Sequence, residues 1–98
     1  MTTVLFHPDA DSEFTEELEY YSETRDGVVG RFRESVEQAV ARAAANPRGG
    51  KPSFGQTRAM RVKGFPFDVI YLESFDELFV VAIAGHRRSP GYWLPRLP

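Results

Sequence analysis

The sequence predicts a small α+β domain in which a helical hairpin packs on a twisted, mainly antiparallel sheet. The chain has 98 residues, 42% of them apolar, which is enough for one core and leaves no room for a second domain, so residues 1–98 are expected to form a single unit. Apolar residues recur at helical spacing only in the first half, whereas alternation and short apolar runs fill the second half. The resulting order β-α-α-β-β-β separates helices from strands, as is typical of the α+β class.

The first two elements are a short strand and an amphipathic helix. Residues 4–7 form an apolar run typical of a strand, and Pro8 ends it because proline has no N–H for a strand ladder and suits the first turn of a helix. Carboxylates crowd the first turns of the helix, where the helix dipole favours negative charge, and the helix should end near Thr24. Its apolar stripe consists of Ala10, Phe14, Leu18 and Tyr21.

A second helix follows Gly27 and stops at Asn46-Pro47, because proline does not continue a helix. The apolar residues that share helical spacing are Val29, Phe32, Val36, Ala39, Val40 and Ala43. Two helices joined by a short connection should form an antiparallel hairpin, which must bury its shared stripe against another layer.

The second half of the chain supplies that layer as a three-stranded meander. Residues 51–56 carry proline, glycine and serine and are expected to form a loop. The strands that follow should cover residues 57–63, 67–72 and 78–84. Their tight connections favour antiparallel pairing.

The composition excludes several classes of function. There is no cysteine, so the fold cannot rely on disulfides or thiolate metal sites, which fits a reducing compartment. The first residues lack the pattern of a signal peptide, and no apolar run is long enough to span a bilayer, so we expect a cytoplasmic protein without membrane contact. The sequence contains no P-loop, no Gly-x-Ser-x-Gly elbow and no zinc-ligand spacing, so neither a metal nor another cofactor is expected.

Charge is distributed unevenly along the chain. Residues 1–46 carry ten acidic and four basic side chains, whereas residues 47–98 carry four acidic and eight basic ones. The basic second half suggests an anionic partner. The alternative explanation is solubility alone, since the same asymmetry of charge arises when exposed helix positions carry glutamate and exposed strand positions carry arginine.

The densest polar cluster follows the last predicted strand. Its members are His86, Arg87, Arg88, Tyr92, Trp93 and Arg96. Arginine forks bind phosphate or carboxylate, aromatic rings offer stacking faces, and histidine transfers protons near neutral pH, so the cluster could bind a nucleic acid or an acidic peptide. The structural alternative is that the two aromatic rings fold back over the sheet, that the histidine lies at the edge of the core and that the arginines are solvated.

Further positive charge lies on the first strand of the meander. Arg58 shares a face with Met60 and Val62, so it either pairs with a helix carboxylate or belongs to a binding surface at the sheet edge. Arg61 and Lys63 lie on the other face, where a solvated strand is the usual explanation.

Short motifs spread over nearly the whole chain occur together in one superfamily. They are His7-Pro8-x-Ala10, Tyr20-Tyr21, Phe32, Asn46-Pro47, Arg58, Phe65-Pro66-Phe67-x-x-Ile70-Tyr71 and His86-x-Arg88-x-Pro90-x-Tyr92-Trp93-x-x-Arg96. In this combination the sequence resembles the ParE branch of the RelE/ParE toxins. The resemblance implies the β-α-α-β-β-β fold and a cognate antitoxin whose C-terminal segment wraps over the toxin, with operator DNA contacted only through that antitoxin.

The resemblance implies two alternative activities. ParE-like members are associated with poisoning DNA gyrase, whereas RelE-like members cut mRNA in the ribosome with basic residues of the sheet and a C-terminal tyrosine. In the second case Arg61, Arg87 and Tyr92 would be catalytic, and His86 would carry a proton. In either case the target- or antitoxin-binding residues are expected to be Arg58, His86, Arg87, Arg88, Tyr92, Trp93 and Arg96.

Asp68 favours the gyrase alternative. It occupies the position where the ribonucleases carry an arginine, and a carboxylate there would repel the scissile phosphate. The acidic sequence pI of about 5.6 also opposes binding in the RNA-rich A site of the ribosome. We therefore expect a non-catalytic toxin, with the ribosome-dependent endoribonuclease as the alternative. A third interpretation is a degenerate member that keeps antitoxin binding alone and acts in autoregulation of its operon.

Overall fold

The computed structural model describes residues 2–24 and 26–98 and shows two helices packed on one face of a five-stranded sheet. The strands are β1 (Thr3–Phe6), β2 (Lys51–Pro52), β3 (Arg58–Val62), β4 (Phe67–Ser74) and β5 (Glu77–Gly85). The helices are α1 (Pro8–Thr24) and α2 (Val28–Ala45), and single 3-10 turns lie at Pro47–Gly49, Phe54–Gln56 and Leu94–Arg96. The predicted fold class and element order are confirmed, with one short strand added. No helix in the described part of the chain is long and apolar enough to cross a membrane.

The strands are arranged in the order β1-β5-β4-β3-β2. Among the strand pairs that the structure describes, β1–β5 is parallel and the other three are antiparallel, so the sheet is mainly antiparallel, as predicted. The parallel pairing runs from Thr3 opposite Glu77 to Phe6 opposite Val80. Because β1 ends there, no strand of the described residues pairs with the second half of β5 on that side.

The segment at residues 51–56 corrects one prediction. The sequence predicts a loop there, but Lys51 pairs with Ala59 and Pro52 pairs with Arg58, which makes β2 an edge strand. Proline is tolerated in an edge strand, because its missing N–H can lie on the side of the strand that points to solvent and not to the neighbouring strand. The loop prediction was therefore wrong for these two residues.

Phe32 lies at the centre of the larger core, between the helices and the sheet. Its side chain is fully buried, and the rings of Phe14, Tyr21, Phe65 and Phe67 lie 4.9–6.1 Å from its ring centroid. Aromatic pairs at such distances add attraction beyond the burial of their area. The shared stripe predicted for the helical hairpin packs in this core, except that Val28 and not the predicted Val29 is the buried valine at the start of α2.

A second, smaller core lies on the opposite side of the sheet, here called the outer face. Ile70, Val81, Ala82 and Ala84 are buried there, together with Trp93, which is only 5% exposed. Trp93 follows β5 in the sequence, so the chain folds back over the outer face after the last strand. This arrangement matches the structural alternative considered for the aromatic residues of the C-terminal cluster.

Tyr71 fastens the chain that follows α2 to the sheet. Its hydroxyl donates to the Pro47 carbonyl at 2.6 Å and accepts a hydrogen bond from the Gly50 N–H at 3.1 Å. Any side chain at position 50 would collide with the Tyr71 hydroxyl, so the close approach itself requires glycine. Burial raises the pKa of Tyr71, which keeps the hydroxyl protonated as the donor.

We expect the Tyr71→Phe substitution to lower the free energy of unfolding by about 1–3 kcal/mol, because it leaves the Gly50 N–H and the Pro47 carbonyl without their partner. Urea denaturation followed by circular dichroism measures the change. Tyr20→Phe is the matched control, since Tyr20 is 56% exposed and its hydroxyl makes no hydrogen bond among residues 2–24 and 26–98. Equal losses in the two variants would contradict the assigned role of Tyr71.

Candidate interaction site

The C-terminal segment, residues 86–98, leaves the sheet through consecutive tight turns. The Arg88 N–H donates to the Gly85 carbonyl at 3.1 Å, and the Tyr92 N–H donates to the Ser89 carbonyl at 3.2 Å. These turns place the predicted site residues of the segment around the end of β5, between α1 and the outer face.

Glu13, on α1, is the centre of a largely buried polar cluster. The Arg96 guanidinium donates to both of its carboxylate oxygens at 2.9 Å, and the two side chains are each 14% exposed. The Tyr92 hydroxyl donates to Glu13 Oε2 at 2.6 Å. A bidentate pair of this kind is the strongest arrangement of arginine and carboxylate, and its hydrogen bonds raise the pKa of Arg96. We call Glu13, Tyr92 and Arg96 the Glu13 cluster.

The Glu13 cluster closes the edge of β5 that β1 leaves open. The Ile83 N–H donates to Glu13 Oε1 at 3.1 Å, and Arg96 donates to the Val81 carbonyl at 3.0 Å. An unpaired strand edge invites pairing with other chains, and these side chains occupy its donors and acceptors. Glu13 and Arg96 thus take the place of a further strand.

Tyr92 is held on its ring as well as at its hydroxyl. The Arg88 guanidinium carbon lies 3.9 Å from the ring centroid, as in a cation–π contact. Burial raises the pKa of Tyr92, and its hydrogen bond to Glu13 raises this pKa further. A hydroxyl that is already engaged and less acidic than usual is poorly suited to proton transfer.

Arg61, Asp68 and His86 lie together on the outer face. Arg61 and Asp68 are direct cross-strand partners of β3 and β4. His86 Nε2 lies 3.3 Å from Asp68 Oδ1, and Arg61 Nη1 lies 3.2 Å from both imidazole nitrogens. The three side chains therefore partly satisfy one another's charge and hydrogen-bonding capacity.

A groove of about 490 Å³ separates α1 from the turn that follows β5. The α1 wall is acidic and the wall formed by the turn is basic; they carry Glu13, Glu16, Glu17, His86, Arg87 and Arg88. Tyr20, more than half exposed, also lines the groove. Burial raises the pKa of Glu17, and the charge of Glu16 adds to the shift. Walls of opposite charge suit a protein segment that carries charges of both signs.

Arg87 and Arg88 present the accessible positive charge of this groove. Arg87 is exposed and makes no hydrogen bond or ion pair within residues 2–24 and 26–98. The Arg88 side chain is 57% exposed, and its Nη1 lies 3.9 Å from Glu13 Oε2, a loose ion pair. The Arg87 guanidinium is therefore available to a partner, and that of Arg88 is accessible although one face of it lies over the Tyr92 ring.

Arg58 makes its hydrogen bonds elsewhere. Its Nη1 donates to the Gly50 carbonyl at 2.8 Å and to the Arg48 carbonyl at 3.3 Å. These are backbone acceptors of the chain that follows α2, whereas the sequence suggested a helix carboxylate as the structural partner. The structure thus does not bring Arg58 into the Glu13 cluster.

Glu13 is the site residue that sequence reasoning missed. In the sequence it is only one of three carboxylates, with Asp9 and Asp11, in the first turns of the helix. One signal was present, since Glu13 follows Ala10 of the apolar stripe by three residues and so lies beside the buried face of the helix. A carboxylate at such a position needs a buried partner.

Two comparisons with known proteins agree with this fold. The sequence model of the family described as the ParE toxin of the type II toxin-antitoxin system, parDE, matches residues 4–90. A chain from the solved structure of the chromosomal ParDE TA system from P. aeruginosa has a similar fold, with a TM-score of 0.73 and 16% sequence identity. The similarity covers 87% of the present chain and 96% of that chain. No curated protein matches the sequence.

The family match over most of the chain defines the class of the protein, which is the toxin component of a type II toxin-antitoxin system. The chain belongs to the ParE toxin family. Membership of a toxin-antitoxin system implies a cognate antitoxin as the partner of this toxin.

Proposed function

We propose that this ParE-family toxin arrests bacterial growth by binding DNA gyrase as a non-catalytic inhibitor, and that its antitoxin neutralises it in the cytoplasm. Operator DNA would be reached only through the antitoxin. The observation that carries the proposal is the engagement of Tyr92 by Glu13, because it occupies the hydroxyl that a ribonuclease would need. The target itself follows from the resemblance to gyrase-poisoning toxins.

The turn at residues 85–88 is the proposed contact with gyrase. It carries the two accessible guanidinium groups, Arg87 and Arg88, and it forms one wall of the groove. Arginine is enriched among the residues that contribute most to the stability of protein complexes. Tyr20, exposed along the same groove, adds an aromatic surface of the kind common at interfaces.

Expression of the toxin in a bacterium should arrest growth and induce the SOS response. In a supercoiling assay the purified toxin should inhibit gyrase and trap its cleaved complex with DNA. Full supercoiling activity in the presence of excess toxin would exclude gyrase as the target. Harmless overexpression would instead favour a degenerate member that keeps antitoxin binding alone.

Arg87→Ala should weaken the binding of gyrase about tenfold, which corresponds to about 1.4 kcal/mol for a contributing interface arginine. The thermal stability should not change, because Arg87 has no partner within the described residues. Arg33→Ala is the control, since Arg33 is an exposed arginine of α2 outside the groove. Surface plasmon resonance against immobilised gyrase measures both variants, and indistinguishable affinities would remove Arg87 from the interface.

The ribosome-dependent endoribonuclease is the second candidate. The observation in its favour is the contact of Arg61 with His86, which places a guanidinium beside a proton carrier. Such an enzyme would lose its toxicity in the Tyr92→Phe variant, whereas we expect this variant to remain toxic. Toe-printing of translated mRNA decides between the two, because new cleavage ends in the ribosomal A site would establish the enzyme.

A further inference from the structure

A smaller cavity, of about 220 Å³, opens on the outer face beneath the C-terminal segment. Its floor consists of Ala59, Ile70 and Ala84, and the short side chains of the two alanines leave the space. Polar side chains surround this floor; they belong to Ser53, Asp68, His86, Arg88 and Ser89, and the indole of Trp93 also lines the cavity. An apolar floor with a few convergent polar groups is the usual form of a binding site.

The indole of Trp93 has an unused donor. Trp93 is only 5% exposed, and its Nε1 has no hydrogen-bond partner. It is the one buried side-chain nitrogen or oxygen without a partner in the part of the chain that the structure describes. Since buried polar groups in proteins are almost always paired, an acceptor supplied from outside would explain this position.

The polar groups around the cavity define the chemistry of that acceptor. Asp68, the only carboxylate among the lining residues, is already paired with His86 at 3.3 Å. The only ion pair of Arg88 in the described residues is the loose one with Glu13, and its contact with the Tyr92 ring leaves its N–H donors in the guanidinium plane unused; Ser53 and Ser89 can donate from their hydroxyls. Donors therefore exceed free acceptors, and a carboxylate is the complementary ligand.

Exposed apolar side chains beside the cavity indicate that the carboxylate belongs to a protein. Phe54 and Leu94 are 54% and 41% exposed, and the Phe54 ring centroid lies 6.5 Å from that of Trp93. An apolar segment could pack on both residues while its acidic side chain enters the cavity. Because the indole nitrogen is covered, the atoms that cover it must move slightly on binding.

We propose that this cavity binds an acidic side chain on an apolar segment of the antitoxin, with Trp93 Nε1 donating to the carboxylate and Arg88 pairing with it. The antitoxin is the expected source because the turn at residues 85–88 borders both the cavity and the groove. A segment seated in the cavity would therefore cover part of the proposed gyrase contact. The assignment rests on the toxin family and does not depend on gyrase being the target.

The single tryptophan of the chain makes direct titration feasible. A capped peptide of alternating leucine and glutamate should shift the Trp93 emission saturably, and the same peptide with glutamine for glutamate should bind at least about tenfold more weakly. In calorimetry, Trp93→Phe should also lose about tenfold in affinity, because it removes the N–H and keeps an aromatic ring. Phe75→Ala, at a 92% exposed position outside the cavity, should bind like the wild type.

A second variant keeps the test decisive if Trp93→Phe is poorly folded. Ala59→Leu fills the floor of the cavity without changing the indole, and it should abolish saturable binding of the peptide. Absence of saturable binding to the wild type, or unchanged binding to a folded Ala59→Leu variant, would overturn the proposal. So would displacement of the peptide by a single-stranded RNA, since the cavity would then bind nucleic acid.

Growth assays distinguish the antitoxin from the target as the source of the segment. Ala59→Leu co-expressed with the antitoxin from the adjacent reading frame should remain toxic and resist neutralisation. A variant that is neutralised normally, or one that binds antitoxin normally but is no longer toxic, would contradict the assignment to the antitoxin. Failure of the gyrase proposal would appear separately, in the supercoiling assay with wild-type toxin.

Discussion

The Glu13→Ala substitution is expected to lower the free energy of unfolding by about 3–5 kcal/mol, the usual cost of removing one partner of a buried ion pair. It would leave the Arg96 guanidinium, only 14% exposed, with a single longer ion pair, from its Nε to Asp9 Oδ2 at 3.7 Å. It would also remove the acceptor of the Ile83 N–H and of the Tyr92 hydroxyl. The penalty is large because several donors converge on one carboxylate.

Urea denaturation of Glu13→Ala, followed by circular dichroism, measures this loss. Glu16→Ala is the matched control, since Glu16 is an exposed glutamate on the same helix and should change stability by no more than about 0.5 kcal/mol. A double-mutant cycle with Arg96→Ala should show strong coupling between the two positions. Additive losses would mean that the pair contributes little beyond the individual side chains.

Phe32→Ala should cost a similar amount, about 3–5 kcal/mol, through the loss of buried contacts and the cavity left behind. Phe32 is fully buried and lies among four aromatic rings. Because these rings are closely packed, they cannot all shift to fill the space that the missing side chain would leave. A small domain is stable by only about 5–15 kcal/mol, so the loss is a large share of the total.

Thermal denaturation of the Phe32→Ala variant tests this expectation, with Phe32→Leu as a less severe truncation. Phe75→Ala serves as the control, because Phe75 is 92% exposed at the turn between β4 and β5. Similar melting temperatures for Phe32→Ala and Phe75→Ala would contradict the central position of Phe32. Loss of the near-ultraviolet circular dichroism signal in the Phe32 variant would show that the aromatic packing depends on it.

The helices and the three longest strands could be predicted because their signals are local. The spacing of Ala10, Phe14 and Leu18 is visible within one segment, and the proline at position 8 marks a boundary by itself. The strand β2 escaped prediction because its two residues are too few to show alternation. Its pairing with Arg58 and Ala59 is decided by the neighbouring strand.

The candidate site was predicted less completely than the fold, because its contacts join distant parts of the chain. Alternation assigns Arg61 to one face of β3, but the strand register that places it opposite Asp68 is a tertiary property. Arg96 was recognised as a charged residue near a strand end, whereas its partner Glu13 lies at the other end of the sequence. No local pattern connects those two positions.

The parallel pairing of β1 with β5 has a consequence for the kinetics of folding. Thr3 can find Glu77 only after almost the whole intervening chain has been brought into place, which makes this contact one of high sequence separation. Contacts of this kind slow folding, so the helical hairpin and the β3–β4–β5 meander are expected to form before β1 docks. Until then Val4 and Phe6, which pack on the larger core in the native state, remain unprotected against aggregation.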